Sequence, residues 1–202
     1  MEYSVCRCST AEEAGEIFSI ESYPWGKDYC PKTTGSLIFV EQMGFVLKMQ
    51  CEEANPTARY HSDFDPVHKD SCMEAFLNFY PELPSGYINF EINALGAMKC
   101  SIGPQRNSPE HPRYYFGREG ISVPRPTVRL QKSSWKIQLV IPLDFLKTAY
   151  GKNEFVPGQI LRGNFQKCGE ETPIVHFGSL FPIDSPSPDF HRPDCFGTLI
   201  IR

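Results

Sequence analysis

The chain has 202 residues, a formal net charge of −4 and a hydrophobic fraction of 41%. This length is enough for one domain with a sizeable hydrophobic core. The lack of a basic stripe argues against nucleic acid as a partner, and no apolar run in the sequence is long enough to cross a membrane.

The first 25 residues are predicted to be an N-terminal extension of a single domain that spans residues 1–202. Residues 10–13, Thr-Ala-Glu-Glu, match a capping box, which predicts a short helix that ends before Tyr23 and Pro24. The start lacks the apolar core of a signal peptide, so we expect a cytoplasmic protein, unless the sequence is that of a secreted protein whose signal peptide has been removed. The eight cysteines are scattered without a C-x-x-C pair, and we expect them to be reduced.

The rest of the chain is predicted to consist mainly of strands. Apolar alternation and short apolar runs predict strands at 36–41, 45–51, 73–80, 87–93, 98–102, 127–131, 135–141, 159–167 and 197–201. Pro142 and Gly151 are typical of the start and end of one further helix, 142–150. Many short strands with one or two short helices predict an all-β fold, a β-sandwich rather than an α/β fold.

The strand predicted at 87–93 has an unusual polar face. Apolar side chains at 88, 90 and 92 alternate with Asn89, Glu91 and Asn93. The strand at 159–167 repeats the pattern with Asn164 and Gln166. Such amides and carboxylates together donate and accept hydrogen bonds, as sugar hydroxyls require. The two strands therefore predict either a sugar-binding platform on an outward sheet surface or an ordinary solvated sheet face.

Five segments resemble, in order, segments of carbohydrate-binding module family 9 and its stand-alone family 9-like members. They are 51–56 (CEEANP), 66–76 (PVHKDSCMEAF), 87–96 (YINFEINALG), 162–169 (RGNFQKCG) and 188–197 (PDFHRPDCFG). The second segment matches the family pattern V-x-x-D-S-x-x-E-x-F. The resemblance implies an all-β fold, a β-sandwich of two antiparallel sheets, that binds oligosaccharides or polysaccharide ends without catalysis. It also implies a link to carbohydrate catabolism, often as an accessory of glycoside hydrolases, and structural calcium in some members.

The family holds its sugar between two aromatic rings above polar strand residues. In this sequence His68 stands where the first ring is expected, and Leu180 stands where a tryptophan is expected. Phe177 or Phe181 is expected to substitute for that tryptophan, and the loss of a strong ring predicts weak sugar binding. The predicted sugar contacts are His68, Glu74, Asn89, Glu91, Asn93, Arg106, Asn164, Gln166, Phe177 and Phe181.

No essential cofactor is expected, and the sequence leaves the oligomeric state open. Asp70 is a weak candidate for a calcium ligand, and the alternative is that it accepts backbone N–H groups of a turn.

Two further functions remain open from the sequence. Glu74 and Glu91 on adjacent strands could serve as the carboxylate pair of a glycoside hydrolase. A zinc site could form from Cys168, His176 and His191, although no local spacing supports it.

A haem-binding sandwich is the third possibility. It would use Met49 or Met98 together with His176 as axial ligands.

Overall fold

The structure is a computed structural model that describes residues 1–202, apart from the side chain of Glu119. The strands are β1 Glu2–Cys8, β2 Phe18–Ile20, β3 Ser22–Trp25, β4 Thr33–Val40, β5 Gly44–Cys51, β6 Cys72–Asn78, β7 Tyr87–Asn93, β8 Met98–Gly103, β9 Tyr114–Tyr115, β10 Thr127–Leu130, β11 Trp135–Pro142, β12 Ile160–Gly169, β13 His176–Ser179 and β14 Gly197–Ile201. The α-helix, α1, is Leu143–Tyr150, and 3-10 turns lie at Val67–Lys69, Phe116–Glu119 and Pro193–Cys195. Within the part of the chain described, no helix is long and apolar enough to cross a membrane.

Two sheets pack against each other as a sandwich. One sheet has the order β10-β11-β5-β4, and the other has the order β14-β12-β6-β7-β8-β9. The strand β1 joins them, because its first half pairs with β14 and its second half pairs with β4. The predicted β-sandwich is confirmed. It is mixed rather than purely antiparallel, since both pairings of β1 are parallel.

The main hydrophobic core lies between the inner faces of the two sheets. Phe45 on β5, Phe90 on β7 and Phe165 on β12 are fully buried in this core. Phe165 also stacks on Phe18 of β2, with ring centroids 4.3 Å apart. Since a fully buried large apolar side chain contributes about 1.5–3 kcal/mol, these inward residues fix the register of their strands.

The predicted N-terminal helix is wrong. Residues 10–13 form a turn, although Glu13 Oε1 does accept hydrogen bonds from the backbone N–H groups of Ser9 and Thr10, both at 2.8 Å. The chain then continues into β2, where Phe18 enters the core. Burial of that ring and pairing of β2 with β4 therefore outweigh the local capping signal.

The other predicted elements agree with the structure to within three residues. Tyr87–Asn93 and Gly197–Ile201 match their predicted bounds, and α1 begins one residue later than predicted. The sequence interpretation missed the strands β1, β2, β3, β9 and β13.

The polar face of the second sheet is not an outward solvated surface. Asn89, Glu91 and Asn93 on this face of β7 are buried, because residues of the segments 52–71 and 180–196 pack over it. A second apolar cluster, which includes Phe76, Phe177, Phe190 and Phe196, packs there. The predicted open platform is thus replaced by a covered polar floor, and the cover leaves a pocket.

Candidate functional site

A pocket of about 90 Å³ opens above the covered face of the second sheet. Its floor contains Glu74 on β6, Glu91 on β7 and Lys99 on β8, which lie directly opposite one another in the strand register. The walls and rim are formed by His68, Phe76, Arg106, Cys168, Glu170, Phe177, Pro188, Asp189, Phe190 and His191. Antiparallel pairing therefore brings three ionisable side chains that are distant in the sequence together in one row.

The row of polar side chains continues onto the neighbouring strand β12, and some of its polar atoms lack hydrogen-bond partners among the described residues. Gln166 lies opposite Glu74 in the register. Both polar atoms of the Gln166 amide and Glu91 Oε2 are buried, and none of them has a hydrogen-bond partner among the described residues. Buried polar atoms are nearly always paired, so this row has capacity for a bound partner.

Glu91 is the ionised carboxylate of the floor. Asn89 Nδ2 donates a hydrogen bond to Glu91 Oε1 at 2.7 Å. His68 Nδ1 lies 3.5 Å and Lys99 Nζ 3.8 Å from Glu91 Oε2, which are ion-pair distances without hydrogen-bond geometry. Burial opposes the charge, but His68 and Lys99 outweigh it and lower the pKa of Glu91 to about 2. The interaction with Glu91 in turn raises the pKa of His68.

Glu74 differs from its neighbour although it is equally buried. Burial raises the pKa of Glu74 to about 8, and the charge on Glu91 adds to this effect. Its Oε1 accepts a hydrogen bond from Cys168 Sγ at 3.2 Å. Glu74 is therefore protonated at neutral pH, and the floor offers a carboxylic acid donor beside a carboxylate acceptor.

A buried arginine holds this floor in place. Arg113 Nη2 donates to Asn89 Oδ1 at 2.8 Å, while Asn89 donates to Glu91 from its amide nitrogen. The guanidinium also lies over the Tyr87 ring, 4.4 Å from its centroid. The contacts from Arg113 through Asn89 to Glu91 fix the orientation of the carboxylate, a role that the sequence did not predict.

A neutral histidine closes one side of the pocket. Tyr87 Oη and His191 Nδ1 are 2.6 Å apart. Burial lowers the pKa of His191 to about 3, so its ring is uncharged at neutral pH. His191 thus presents a polar but uncharged edge to the pocket.

The structure brings together five of the predicted sugar contacts. His68, Glu74, Glu91, Arg106 and Phe177 all line the pocket. Their grouping follows from the strand register and from the covering loops, and their contact with a sugar stays a prediction.

The other predicted contacts lie outside the pocket lining. Asn93 donates from Nδ2 to Tyr60 O and to Asp70 Oδ2, and its Oδ1 accepts two backbone N–H groups. Asn89 is likewise occupied by the hydrogen bonds described above, and it orients Glu91. These amides form hydrogen bonds within the protein, which supports a positioning role, and their contact with a sugar stays a prediction.

Asn164 and Phe181 form a structural clamp, and Gln166 lies beside the floor. Asn164 Nδ2 donates to Phe181 O at 2.9 Å, and Asn164 Oδ1 accepts from Phe181 N at 3.0 Å. The Phe181 ring is buried in the main core, so it does not substitute for the missing tryptophan. Leu180, at the position of that tryptophan, packs against the same core.

Sequence reasoning also missed residues that line the pocket. Lys99 follows from the alternation of β8, since it lies opposite Glu91 in the register. Asp189, Phe190 and His191 come from a loop whose path depends on long-range contacts, so the sequence did not predict that they line the pocket.

Asp70 does not fit a calcium site. Its Oδ2 accepts hydrogen bonds from the backbone N–H groups of Arg59 and Tyr60, at 2.8 and 3.0 Å, and from Asn93 Nδ2 at 3.1 Å. Its Oδ1 accepts one from Arg59 Nε at 3.2 Å. Calcium needs converging oxygen ligands, whereas this carboxylate is surrounded by N–H donors. The alternative, a carboxylate that satisfies a turn, describes Asp70 better.

The predicted zinc and haem ligands do not converge. His176 Nε2 lies 2.7 Å from Lys167 Nζ, and its Nδ1 lies 2.8 Å from Ile174 O, so both ring nitrogens are occupied. Met49 and Met98 lie in the main core. His176 is therefore a structural residue.

Comparisons with known proteins agree with this architecture. A protein from Bacteroides uniformis ATCC 8492, described as a candidate carbohydrate-binding protein, has a similar structure, with a TM-score of 0.80 at 25% identity over 100% of this chain and 99% of that one. A carbohydrate-binding module of family 9 from Caldicellulosiruptor kristjanssonii, in complex with glucose, gives a TM-score of 0.65 at 10% identity over 100% of this chain and 96% of that one. A cellotriose complex of such a module from the same organism gives 0.63 at 11% identity, over 100% and 94%. At these two identities the likeness concerns the fold.

A search of curated protein sequences found no match. The family model described as Carbohydrate-binding family 9 matches residues 10–201. Since this match spans nearly the whole chain, the protein belongs to carbohydrate-binding family 9.

Proposed function

We propose that the chain binds the end of an oligosaccharide or polysaccharide in the pocket above Glu74 and Glu91, without catalysis. The observation that carries this proposal is that Glu91 Oε2, on the floor of the pocket, is buried without a hydrogen-bond partner among the described residues. A sugar hydroxyl can supply such a missing donor. Membership of the family and the sugar complexes of the two Caldicellulosiruptor kristjanssonii modules support the same class of ligand.

The floor matches the hydrogen-bonding needs of a neutral sugar. Each hydroxyl group both donates and accepts. Protonated Glu74 offers a donor and ionised Glu91 an acceptor at adjacent positions of the row. Arg106 at the rim forms an ion pair with Asp189, with Nη2 and Oδ1 2.7 Å apart, so its charge is already compensated. This balance favours an uncharged sugar over an acidic one.

The aromatic rings that line the pocket are expected to stack on a sugar more weakly than a pair of tryptophans would. Phe177 and Phe190 line it with ring centroids 6.2 Å apart and an interplanar angle of 71°, so they are edge to face. They cannot enclose a sugar between parallel faces, and each missing stacking contact removes about 1 kcal/mol of affinity. We therefore expect a Kd of about 1 mM, which corresponds to about −4 kcal/mol.

Hydrolysis is the second candidate function, and the opposite pKa shifts of the two carboxylates are the observation that favours it. A glycoside hydrolase needs its two carboxylates on either side of the scissile bond. Glu74 and Glu91 instead lie side by side on one floor, from paired positions of adjacent strands. This placement favours binding, and in that role the chain would serve carbohydrate catabolism as an accessory of glycoside hydrolases.

Calorimetric titration with cello-, xylo- and manno-oligosaccharides and host-type glycans tests the proposal. We expect millimolar binding of at least one sugar, and a loss of about tenfold or more in Glu91→Gln, because a charged hydrogen bond is worth about 1.5–3 kcal/mol. Glu12→Gln, an exposed carboxylate outside the pocket, is the matched control and should bind like the wild type.

Two results would count against the proposal. If no sugar of the panel gives a binding signal at millimolar concentration, the proposed sugar binding is refuted. Hydrolysis of aryl glycosides that disappears in Glu91→Gln would instead establish the enzyme.

A further inference from the structure

A cluster of two thiols and a carboxylate lies at the base of the pocket. Cys72 on β6 and Cys168 on β12 are direct partners in the strand register, and Glu74 lies two residues after Cys72 on the same face of β6. Sγ of each cysteine and a carboxylate oxygen of Glu74 lie within 4.8 Å of one another, and all three residues are buried. The eight cysteines are all free, so both thiols are available.

We infer that Cys72, Cys168 and Glu74 form a binding site for a thiophilic divalent cation such as Zn²⁺, with the fourth coordination position open to the pocket. Zinc takes thiolate sulfur at about 2.3 Å and carboxylate oxygen at about 2.0–2.2 Å in a tetrahedral arrangement. Ligand atoms of such a tetrahedron are about 3.3–3.8 Å apart, so small side-chain rotations bring the three groups into place. Glu74 and Cys168 line the pocket, which gives the ion an entry path.

The alternative is that the three groups only hydrogen-bond to each other. Cys168 Sγ does donate to Glu74 Oε1 at 3.2 Å. Thiols are weak donors, however, and a fully buried carboxyl group is poorly compensated by them. The two sulfur atoms stabilise the carboxyl group of Glu74 only weakly. Together with that carboxylate, however, they are a preferred ligand set for zinc.

The charges around the cluster also suit a cation bound as a thiolate complex. Binding replaces the protons of both thiols and of Glu74, which pass to the solvent. The cation and its three anionic ligands then carry a net charge of −1. Lys99 lines the same pocket, so its positive charge lies near the complex and partly offsets the remaining negative charge.

The inference does not depend on sugar binding, and it is tested without sugar. The first step is a background protein in which the four cysteines that are not buried are replaced by serine, so that surface thiols cannot bind metal: Cys6, Cys8, Cys30 and Cys195. This protein is titrated with Co²⁺, a spectroscopic substitute for Zn²⁺, and Zn²⁺ is then added in competition. We expect one equivalent of Co²⁺ to give a thiolate-to-cobalt charge-transfer band and tetrahedral d–d bands, which Zn²⁺ abolishes.

Replacement of one ligand identifies the site. Cys168→Ser in the same background should lose the charge-transfer band and weaken Zn²⁺ binding by at least about 100-fold, the upper end of the cost of losing an outer-shell partner. The matched control is Cys100→Ser, another buried cysteine on β8 that lies in the main core, and its band should remain.

A second variant covers the case in which Cys168→Ser does not fold. Glu74→Gln keeps both thiols and removes the carboxylate, so it should retain a charge-transfer band and bind Zn²⁺ more weakly than the background protein. The inference is overturned if the background protein gives no charge-transfer band, or if Cys168→Ser and Glu74→Gln leave the band and the Zn²⁺ affinity unchanged.

Discussion

Replacement of the buried lysine Lys167 by methionine is expected to destabilise the protein strongly. The Lys167 side chain is completely buried, and its Nζ lies 3.3 Å from Glu53 Oε2. It also donates to the Cys168 carbonyl at 2.9 Å and lies 2.7 Å from His176 Nε2. Methionine preserves most of the volume of the side chain but removes the charge and the hydrogen bonds. The change therefore isolates the electrostatic contribution of the lysine.

The expected magnitude follows from what the substitution leaves behind. Glu53 stays buried and keeps hydrogen bonds from Trp135 Nε1 at 2.9 Å and Ser71 Oγ at 2.8 Å. Burial opposes the charge of Glu53, and Lys167 is the main reason that the pKa of Glu53 is nevertheless lowered. Removal of one partner of a buried ion pair costs about 3–5 kcal/mol, and the two remaining donors place the expected loss near the lower end. Typical domains unfold with about 5–15 kcal/mol, so the loss is a large share of the total.

Urea unfolding followed by tryptophan fluorescence measures this loss. Lys136→Met is the matched control, since Lys136 is exposed on β11 and its replacement should change the free energy of unfolding by less than about 0.5 kcal/mol. The double variant Lys167→Met with Glu53→Gln should be more stable than Lys167→Met alone, because it no longer buries an unpaired carboxylate. A loss below about 1 kcal/mol in Lys167→Met would refute the reasoning, given the measured values for buried pairs.

Three further predictions concern the packing and the titration of the fold. Burial, followed by the charge on Lys167, lowers the folded-state pKa of His176 to about 4, below an unfolded value of about 6.5. The stability that neutral His176 contributes is therefore present above about pH 6.5 and is lost as the pH falls towards 4, so urea unfolding across this range should show a steeper loss in wild type than in His176→Gln. Phe165→Ala should cost about 3–5 kcal/mol in the same assay, since it empties a fully buried site stacked on Phe18, and a loss below about 1 kcal/mol would show that the ring is dispensable. Asn164→Ala should cost about 1–3 kcal/mol and accelerate hydrogen exchange at the Phe181 amide, and unchanged exchange there would contradict the clamp.

The strand pattern could be predicted from local sequence, and so could part of the polar row on the pocket floor. Alternation placed Glu91 on the polar face of its strand, whereas Glu74 was identified through the resemblance of the segment 66–76 to the family pattern; the two residues are paired in the strand register. The same local rule failed at the N-terminus, where the capping signal of Glu13 is real but Phe18 is needed in the core. Long-range packing decides such cases, and a single sequence does not reveal it.

Local sequence patterns could not predict that loops cover the polar face of the second sheet. Whether Asn93 meets solvent, sugar or protein depends on where the distant carbonyl of Tyr60 lies. Phe177 and Phe181 are four residues apart, yet β13 ends between them and they enter different apolar clusters. The paths of such loops determine which residues form the walls of the pocket. The strand residues of the floor were therefore easier to predict from the sequence than the aromatic rings above them.

An NMR titration of the isotopically labelled chain with glucose and cellotriose shows whether a sugar occupies the pocket above Glu74 and Glu91. We expect millimolar, saturable chemical-shift changes that centre on the backbone amides of Glu74, Glu91 and Lys99 and on the loop at 188–191. Changes confined to the groove on the opposite sheet, which Lys48 and Lys136 line, would refute binding in this pocket, and so would the absence of changes with either sugar.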